Sequence, residues 1–204
     1  MATLTRLKLT PKDHGREIDP DEFEHSDGEE GYHYEIIDGR VYVSPVPNPP
    51  QDDLETWLYS KFFFYRRDHP EVVNHLTPKS RIFIESRPKA TRPEPDISLY
   101  RDYPHHLPRR ERRWQDMYPF LVVEVLSDEK PEKDLVRNVE LYLEVPSIKE
   151  YWILDPRIDP DRPTLLVYRR RGKAWQKPIE VPFGEPYQTP RVLPGFSLVV
   201  DPDQ

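Results

Sequence analysis

Apolar residues fall into short runs separated by polar, proline-rich segments, and the spacing within each run differs. Residues 34–44 form two apolar runs around Asp38-Gly39, which predicts a β-hairpin with a two-residue turn. In residues 51–68 the apolar positions recur at steps of three and four, which predicts a helix with one apolar face. That face carries Leu54, Trp57, Leu58, Phe62 and Tyr65.

The later runs predict several strands and one more helix. Residues 120–126 are the most apolar run, which indicates a central strand covered on both faces. A helix is expected over residues 132–144, and residues 165–169 are expected to pair with the segment around Trp175. Because a strand–helix–strand unit covers residues 120–155 among many strands, the predicted class is α/β, bordering on α+β. Other strands are predicted at residues 81–85, 96–100, 150–155 and 194–200.

Length and charge distribution predict one main domain. The 204 residues suit a single core with some additions. Residues 1–31 are rich in Asp and Glu and poor in branched aliphatic residues, so we predict a flexible or loosely packed N-terminal arm. Residues 32–204 are then expected to form the single folded domain.

Composition excludes several classes of protein. The chain has no cysteine, which rules out disulfides and thiolate metal sites. No apolar run approaches the roughly 20 residues that span a bilayer, so a cytoplasmic protein without membrane contact is expected. The sequence has no Gly-rich phosphate loop, G-x-S-x-G or H-E-x-x-H motif. The net charge of −7 means that any phosphate must bind to a local patch.

Two acids occupy positions where pattern alone would not place them. Asp96 follows Pro95 at the start of a predicted strand, and Glu124 lies in the middle of the most apolar run. An ionised carboxylate is costly to bury without a partner, and Mg²⁺ commonly takes one or two carboxylates together with water and phosphate oxygens. The pair therefore suggests a metal site. Alternatively, Glu124 pairs with an arginine or faces water, and Asp96 caps a turn.

Five motifs in order resemble one known family. The chain is similar to the Uma-two family of restriction-endonuclease-like proteins in the PD-(D/E)XK nuclease superfamily, over roughly residues 34–169. The motifs are Tyr34-Glu-x-x-x-Gly39, Pro95-Asp96, Val122-Val-Glu-Val-Leu-Ser127, Asp134 followed by Leu141-Tyr142, and Glu150-Tyr-Trp-Ile-x-Asp-Pro156.

The resemblance implies a fold and a set of site residues. The fold would be a restriction-endonuclease-like mixed β-sheet flanked by helices, here with added β-hairpins. Asp96 and Glu124 would bind Mg²⁺ or Mn²⁺, with the Val125 carbonyl as a further ligand. Glu35 matches a family glutamate and would assist in the same cleft.

The catalytic lysine of the superfamily is missing from both of its expected positions. Two residues after the second acid the chain has Leu126, and on the following helix, where the Uma-two pattern places the lysine, it has Asn138. Lys130, Lys133 and Arg137 are nearby cations that could replace it.

Two functional hypotheses therefore remain. The first is a divalent-metal-dependent endonuclease that hydrolyses DNA phosphodiester bonds, weakened by loss of the lysine, with Asp96, Glu124, Glu35 and Asn138 in the catalytic site. The alternative is a catalytically degenerate nuclease fold that binds nucleic acid or protein as a regulatory module. The resemblance also implies a homodimer, because many nucleases of this superfamily pair to cut two strands.

Overall fold

The computed structural model describes residues 6–204, which form two compact units. The first unit contains the described residues up to Val46 together with Phe83–Glu94. The second unit contains Pro47–Ile82 and Pro95–Gln204. Within residues 6–204, no helix has both the length and the apolar character that crossing a bilayer requires.

The beginning of the first unit is folded around a small apolar core. Strand β1 (Lys8–Leu9) pairs in parallel with β2 (Asp27–Gly28), and helix α1 (Pro20–Glu24) lies between them in sequence. Part of the segment expected to be a loosely packed arm thus contributes to a core, because a few apolar side chains without helical or strand period meet there. That core consists of Leu9, Ile18, Phe23, Ile36, Val41 and Val43. Residues 1–5 of the expected arm lie outside the described residues.

The predicted hairpin follows in the same unit. Strands β3 (Tyr32–Ile37) and β4 (Arg40–Pro45) pair antiparallel, with Ile37 opposite Arg40. The turn residues Asp38 and Gly39 have φ of 49° and 73°. Positive φ at both central residues is what a type I′ turn requires. The prediction of this hairpin and its turn is confirmed.

The second unit contains the strands β5 (His75–Pro78), β6 (Ile97–Tyr100), β7 (Leu121–Val125), β8 (Glu150–Asp155), β9 (Thr164–Arg171), β10 (Ala174–Trp175), β11 (Ile179–Val181), β12 (Pro186–Gln188) and β13 (Ser197–Val199). Seven of them form a mixed sheet in the order β10-β9-β8-β7-β6-β5, with β11 also paired to β9. The contact between β7 and β8 is parallel and the others are antiparallel. A separate antiparallel pair, β12–β13, ends the chain.

The predicted central strand is confirmed, and one predicted strand is wrong. All five residues of β7 are buried between β6 and β8. Residues 81–85 do not form a strand; the edge strand is β5 instead, whose His75 lies opposite Tyr100 of β6. Ile82 and Ile84 alternate with other residues as in a strand because both side chains are buried, but the segment that carries them has no regular secondary structure.

Two helical segments of the second unit border the sheet. Helix α2 (Pro49–Asp68) begins at Asn48, whose amide donates to Gln51 Oε1 at 3.0 Å. Between β7 and β8 the chain forms a π-helix (Lys133–Arg137) that continues into α3 (Asn138–Leu143). This is the predicted strand–helix–strand unit. Helix α2 buries Leu54, Leu58, Phe62 and Tyr65 in the core that also contains Val123, Val125 and Trp152.

Candidate active site

Glu124 lies in the middle of β7 and is completely buried, with 0% of its surface exposed. Its side chain is on the face of the sheet towards α3, because it contacts two residues of that helix, whereas the adjacent Val123 and Val125 pack on the other face with α2. The carboxylate Oε1 accepts hydrogen bonds from Asn138 Nδ2 at 2.9 Å and from the Tyr142 hydroxyl at 2.7 Å. Two residues of the crossover helix thus hold one oxygen of this acid.

The second carboxylate oxygen of Glu124 is different. Oε2 is buried, and no donor among residues 6–204 forms a hydrogen bond with it. Burial, followed by the negative charge of Asp134, raises the pKa of Glu124 well above its usual range; the charge of Asp96 acts in the same direction, and Lys133 opposes them. A buried carboxylate oxygen without a donor is costly and calls for an explanation such as a cation.

Asp96 lies one residue before β6, next to the backbone of β7. Its Oδ2 accepts a hydrogen bond from the Val125 amide at 2.7 Å. Ile97 is opposite Val123, so continuing the register puts Asp96 opposite Glu124 and Pro95 opposite Val125. Proline has no N–H, and the Val125 carbonyl therefore receives no ladder hydrogen bond from Pro95.

These groups are compatible with a hard divalent cation. Glu124 Oε2, the carboxylate of Asp96 and the Val125 carbonyl are all oxygen donors, which Mg²⁺ and Mn²⁺ prefer. No group of three or more His, Cys, Asp or Glu residues suited to a metal occurs in the described part of the chain. The donor set thus suits Mg²⁺, which commonly keeps several waters beside one or two carboxylates, and it does not suit an ion that needs a complete protein cage.

Asn138, at the position expected for lysine, links two acids. Its Nδ2 donates to Glu124 Oε1 and to Asp134 Oδ1, each at 2.9 Å. Its Oδ1 accepts from Arg137 Nε at 3.0 Å, and the residue is 0% exposed. The amide therefore holds Glu124 in place without supplying a positive charge.

The three cations named as replacements for the lysine differ in their surroundings. Lys133 Nζ lies 3.6 Å from Asp134 Oδ1, and its charge lowers the pKa of Glu124. Arg137 Nε donates a hydrogen bond to Asn138 Oδ1. Lys130 is exposed in the loop after β7, with φ of 53°. None of these contacts involves Asp96.

Glu35 lies in β3 of the first unit and is 4% exposed. Its Oε1 accepts a hydrogen bond from the Glu94 amide at 2.9 Å, so it ties the hairpin to the end of the segment Phe83–Glu94. Its assistance to the acids of the second unit stays a prediction.

The sequence did not point to two residues next to this site, Lys79, which contacts Asp96, and Glu55, which contacts Lys79. Lys79 Nζ contacts Asp96 Oδ1 and is 3.0 Å from Glu55 Oε2. Burial opposes the charge of Lys79, but the carboxylates of Asp96 and Glu55 outweigh it and raise the pKa of the ammonium. Glu55 lies between Leu54 and Leu58 of α2, at the border of the apolar face of the helix. An acid at that position was the signal in the sequence that could have indicated Glu55. Nothing in the sequence marked Lys79.

A second buried acid provides a contrast within the same sheet. Glu150 in β8 is 2% exposed. Its Oε1 accepts from the Thr189 hydroxyl at 2.6 Å and lies 3.3 Å from Arg169 Nε. Its Oε2 accepts from Trp152 Nε1 at 2.8 Å and from the Tyr187 hydroxyl at 3.3 Å. Glu150 is thus satisfied on both oxygens, whereas Glu124 is satisfied on one.

Comparison with known proteins agrees with this architecture. The fold is similar to the crystal structure of a putative nuclease belonging to DUF820 from Anabaena variabilis ATCC 29413, with a TM-score of 0.67 and 19% sequence identity over 90% of this chain and 95% of that chain. This likeness confirms the predicted mixed sheet flanked by helices. No curated protein matches the sequence.

The sequence itself matches a family model over most of its length. The model of the Uma2 family, described as a putative restriction endonuclease, covers residues 20–201. The match confirms the resemblance seen in the five motifs and extends it in both directions. This protein belongs to the Uma2 family.

Proposed function

We propose that this protein is a divalent-metal-dependent endonuclease that hydrolyses phosphodiester bonds of DNA, with Asp96 and Glu124 as its metal ligands. Membership of the Uma2 family supports nuclease activity in general and a nucleic acid as substrate. The observation that supports the metal site is the buried Oε2 of Glu124, which accepts no hydrogen bond from residues 6–204. A second acid, Asp96, lies opposite Glu124 at the start of the neighbouring strand.

The protein's contribution in this proposal is to hold oxygen donors in fixed positions. When bound, Mg²⁺ or Mn²⁺ would stabilise charge on the scissile phosphate and activate the attacking water. Asn138 and Tyr142 fix Glu124 through Oε1, and Oε2 is the oxygen that would hold the ion. The Val125 amide fixes Asp96 through Oδ2. Such preorganisation reduces the reorganisation needed when the substrate binds.

The first experiment compares cleavage of supercoiled and single-stranded DNA by wild type and by Glu124→Gln, both in Mn²⁺ and in EDTA. Gln keeps the shape of Glu124 and one acceptor oxygen but removes the charge. We expect metal-dependent cutting by the wild type and a loss of about 10²-fold or more in the variant.

Glu150→Gln is the matched control for this experiment. It makes the same chemical change to another buried strand acid whose partners are Trp152, Thr189, Tyr187 and Arg169. Cutting that persists equally in Glu124→Gln, or that is insensitive to EDTA, would remove the proposal. The predicted homodimer can be checked on the same preparation by light scattering.

A second candidate function is a nuclease fold that binds nucleic acid or a protein without cutting. Asn138 favours it, because this neutral side chain stands at the expected lysine position. The engagement of both Asp96 oxygens, by the Val125 amide and by Lys79, favours it as well. DNA binding by anisotropy, without cleavage in either metal, would support this alternative.

A further inference from the structure

We infer that Lys79 supplies the positive charge that this site offers to a phosphodiester, in place of a lysine at positions 126 and 138. The inference rests on the proposed function and deepens it. A phosphodiester is an anion, and the carboxylates of Glu55, Asp96 and Glu124 repel it. Charges on an active site's phosphate-binding groups act strongly because little water screens them there.

Lys79 is held in one position by several contacts. It follows β5 and lies between α2 and the start of β6, with Nζ against Asp96 Oδ1 and 3.0 Å from Glu55 Oε2. Its backbone amide also donates to the Asp96 carbonyl at 3.3 Å. Its φ is 49°, in the left-handed region, which costs about 1–2 kcal/mol for a residue with a side chain. The fold maintains this unfavourable conformation at the residue that contacts Asp96.

The ammonium of Lys79 has one donor to spare. A lysine has three N–H donors, and the carboxylates of Glu55 and Asp96 take two of them. The side chain is 28% exposed, whereas those of Glu55 and Asp96 are 14% and 16% exposed. The exposed part and the third N–H can therefore meet a phosphate oxygen while the two carboxylates hold the nitrogen.

The other nearby cations fit this role less well. Lys133 contacts Asp134, on the helix side of Glu124, at 3.6 Å, and Arg137 donates to Asn138. Lys79 directly contacts a proposed metal ligand. Two carboxylates also fix it, as expected for a preorganised donor.

The test uses Lys79→Met, which removes the charge at similar length, and Lys79→Arg, which keeps it. Lys177→Met is the control, because Lys177 is an exposed lysine of the same unit. Three quantities are measured: the cleavage rate on supercoiled DNA, the affinity for a short duplex in Mn²⁺ by anisotropy, and the rise in Tm on adding Mn²⁺.

We expect Lys79→Met to cut about 10²–10³-fold more slowly than wild type and to bind the duplex about 10-fold more weakly. Its Tm should still rise with Mn²⁺, since Glu124 and Asp96 remain. Lys79→Arg should retain a measurable part of the rate, which a purely structural role would not predict. Lys177→Met should behave as wild type.

Two results would overturn the inference, and the behaviour of wild type separates it from the proposed function. If Lys79→Met cleaves DNA and binds the duplex as wild type does, Lys79 does not act on the phosphate. If the Tm of Lys79→Met no longer rises on adding Mn²⁺, Lys79 only positions Asp96. A wild type that binds Mn²⁺ but does not cut still tests Lys79 through duplex affinity, whereas a wild type unaffected by Mn²⁺ removes the proposed metal site itself.

Discussion

The same substitution at two neighbouring buried acids should change stability in opposite directions. In the absence of metal, Glu124→Gln should raise the free energy of unfolding and Glu150→Gln should lower it. Both acids lie on adjacent, parallel strands and are at most 2% exposed, so they are similarly buried and differ in their hydrogen-bond and charged partners. Glu124 has one oxygen without a donor, and Glu150 has donors for both.

The size of each effect follows from those partners. Gln at 124 can still accept from Asn138 and Tyr142, and it removes a charge that burial disfavours first, followed by the charges of Asp134 and Asp96. A buried neutral group without a partner costs about 1–3 kcal/mol and a charged one costs more, so replacing the charged oxygen by a neutral amide nitrogen should raise the free energy of unfolding by about 1 kcal/mol. For a chain of this size each kcal/mol corresponds to about 2–4 °C in Tm.

Neither orientation of the side-chain amide of Gln at 150 satisfies its neighbours. With the amide nitrogen towards Trp152 Nε1, two donors face each other; with the amide flipped, the nitrogen faces Arg169 Nε, which is also only a donor. One buried donor therefore stays unsatisfied in either orientation. The expected loss is about 1–3 kcal/mol.

Thermal unfolding of the three proteins, first in EDTA and then in Mn²⁺, measures this directly. Wild type should gain about 2.7 kcal/mol when Mn²⁺ is at 100 times its Kd, and Glu124→Gln should gain much less, so their order of Tm reverses on adding metal. A lower Tm of Glu124→Gln in EDTA would refute the reasoning, because it would show that the Oε2 charge is already well satisfied without a cation.

Three further predictions concern other parts of the molecule. Adding Asn138→Lys to Lys79→Met should restore part of the lost cleavage, because the new cation would lie beside Glu124; the measurement is the cleavage rate of the double variant divided by that of Lys79→Met. An unchanged rate would contradict the assignment of position 138 as the expected lysine position. Gly28→Ala should lower Tm, at a cost of about 1–3 kcal/mol, because its Cβ would lie 2.7 Å from Tyr34 Cε2; an unchanged Tm would mean that this segment is loosely packed. Burial, followed by the charges of His105 and two arginines, lowers the pKa of His75 to about 4 from 6.5. Its contribution to stability is therefore complete above pH 6.5 and is lost as the pH falls towards 4; urea unfolding of His75→Gln should show a smaller loss between pH 7 and pH 5.

Local chemistry made several features predictable from the sequence. Asp38-Gly39 between two apolar strands determined a hairpin, since few other residue pairs accept positive φ at both positions. The apolar run around Glu124 determined a strand buried on both faces. An acid in such a run is expensive without partners, and this cost marked Glu124 as a candidate before any contact was known.

Other features depended on the tertiary structure. Strand β5 was missed because the sequence of residues 75–78 has no strong alternation, and its pairing with β6 decides its conformation. Lys79 and Glu55 are 24 residues apart, and only the packing of α2 beside the sheet brings Glu55 to the lysine that contacts Asp96. The sequence by itself determined which acids would be costly to bury. The fold decided which of their oxygens receive donors, because those donors come from residues far apart in the chain.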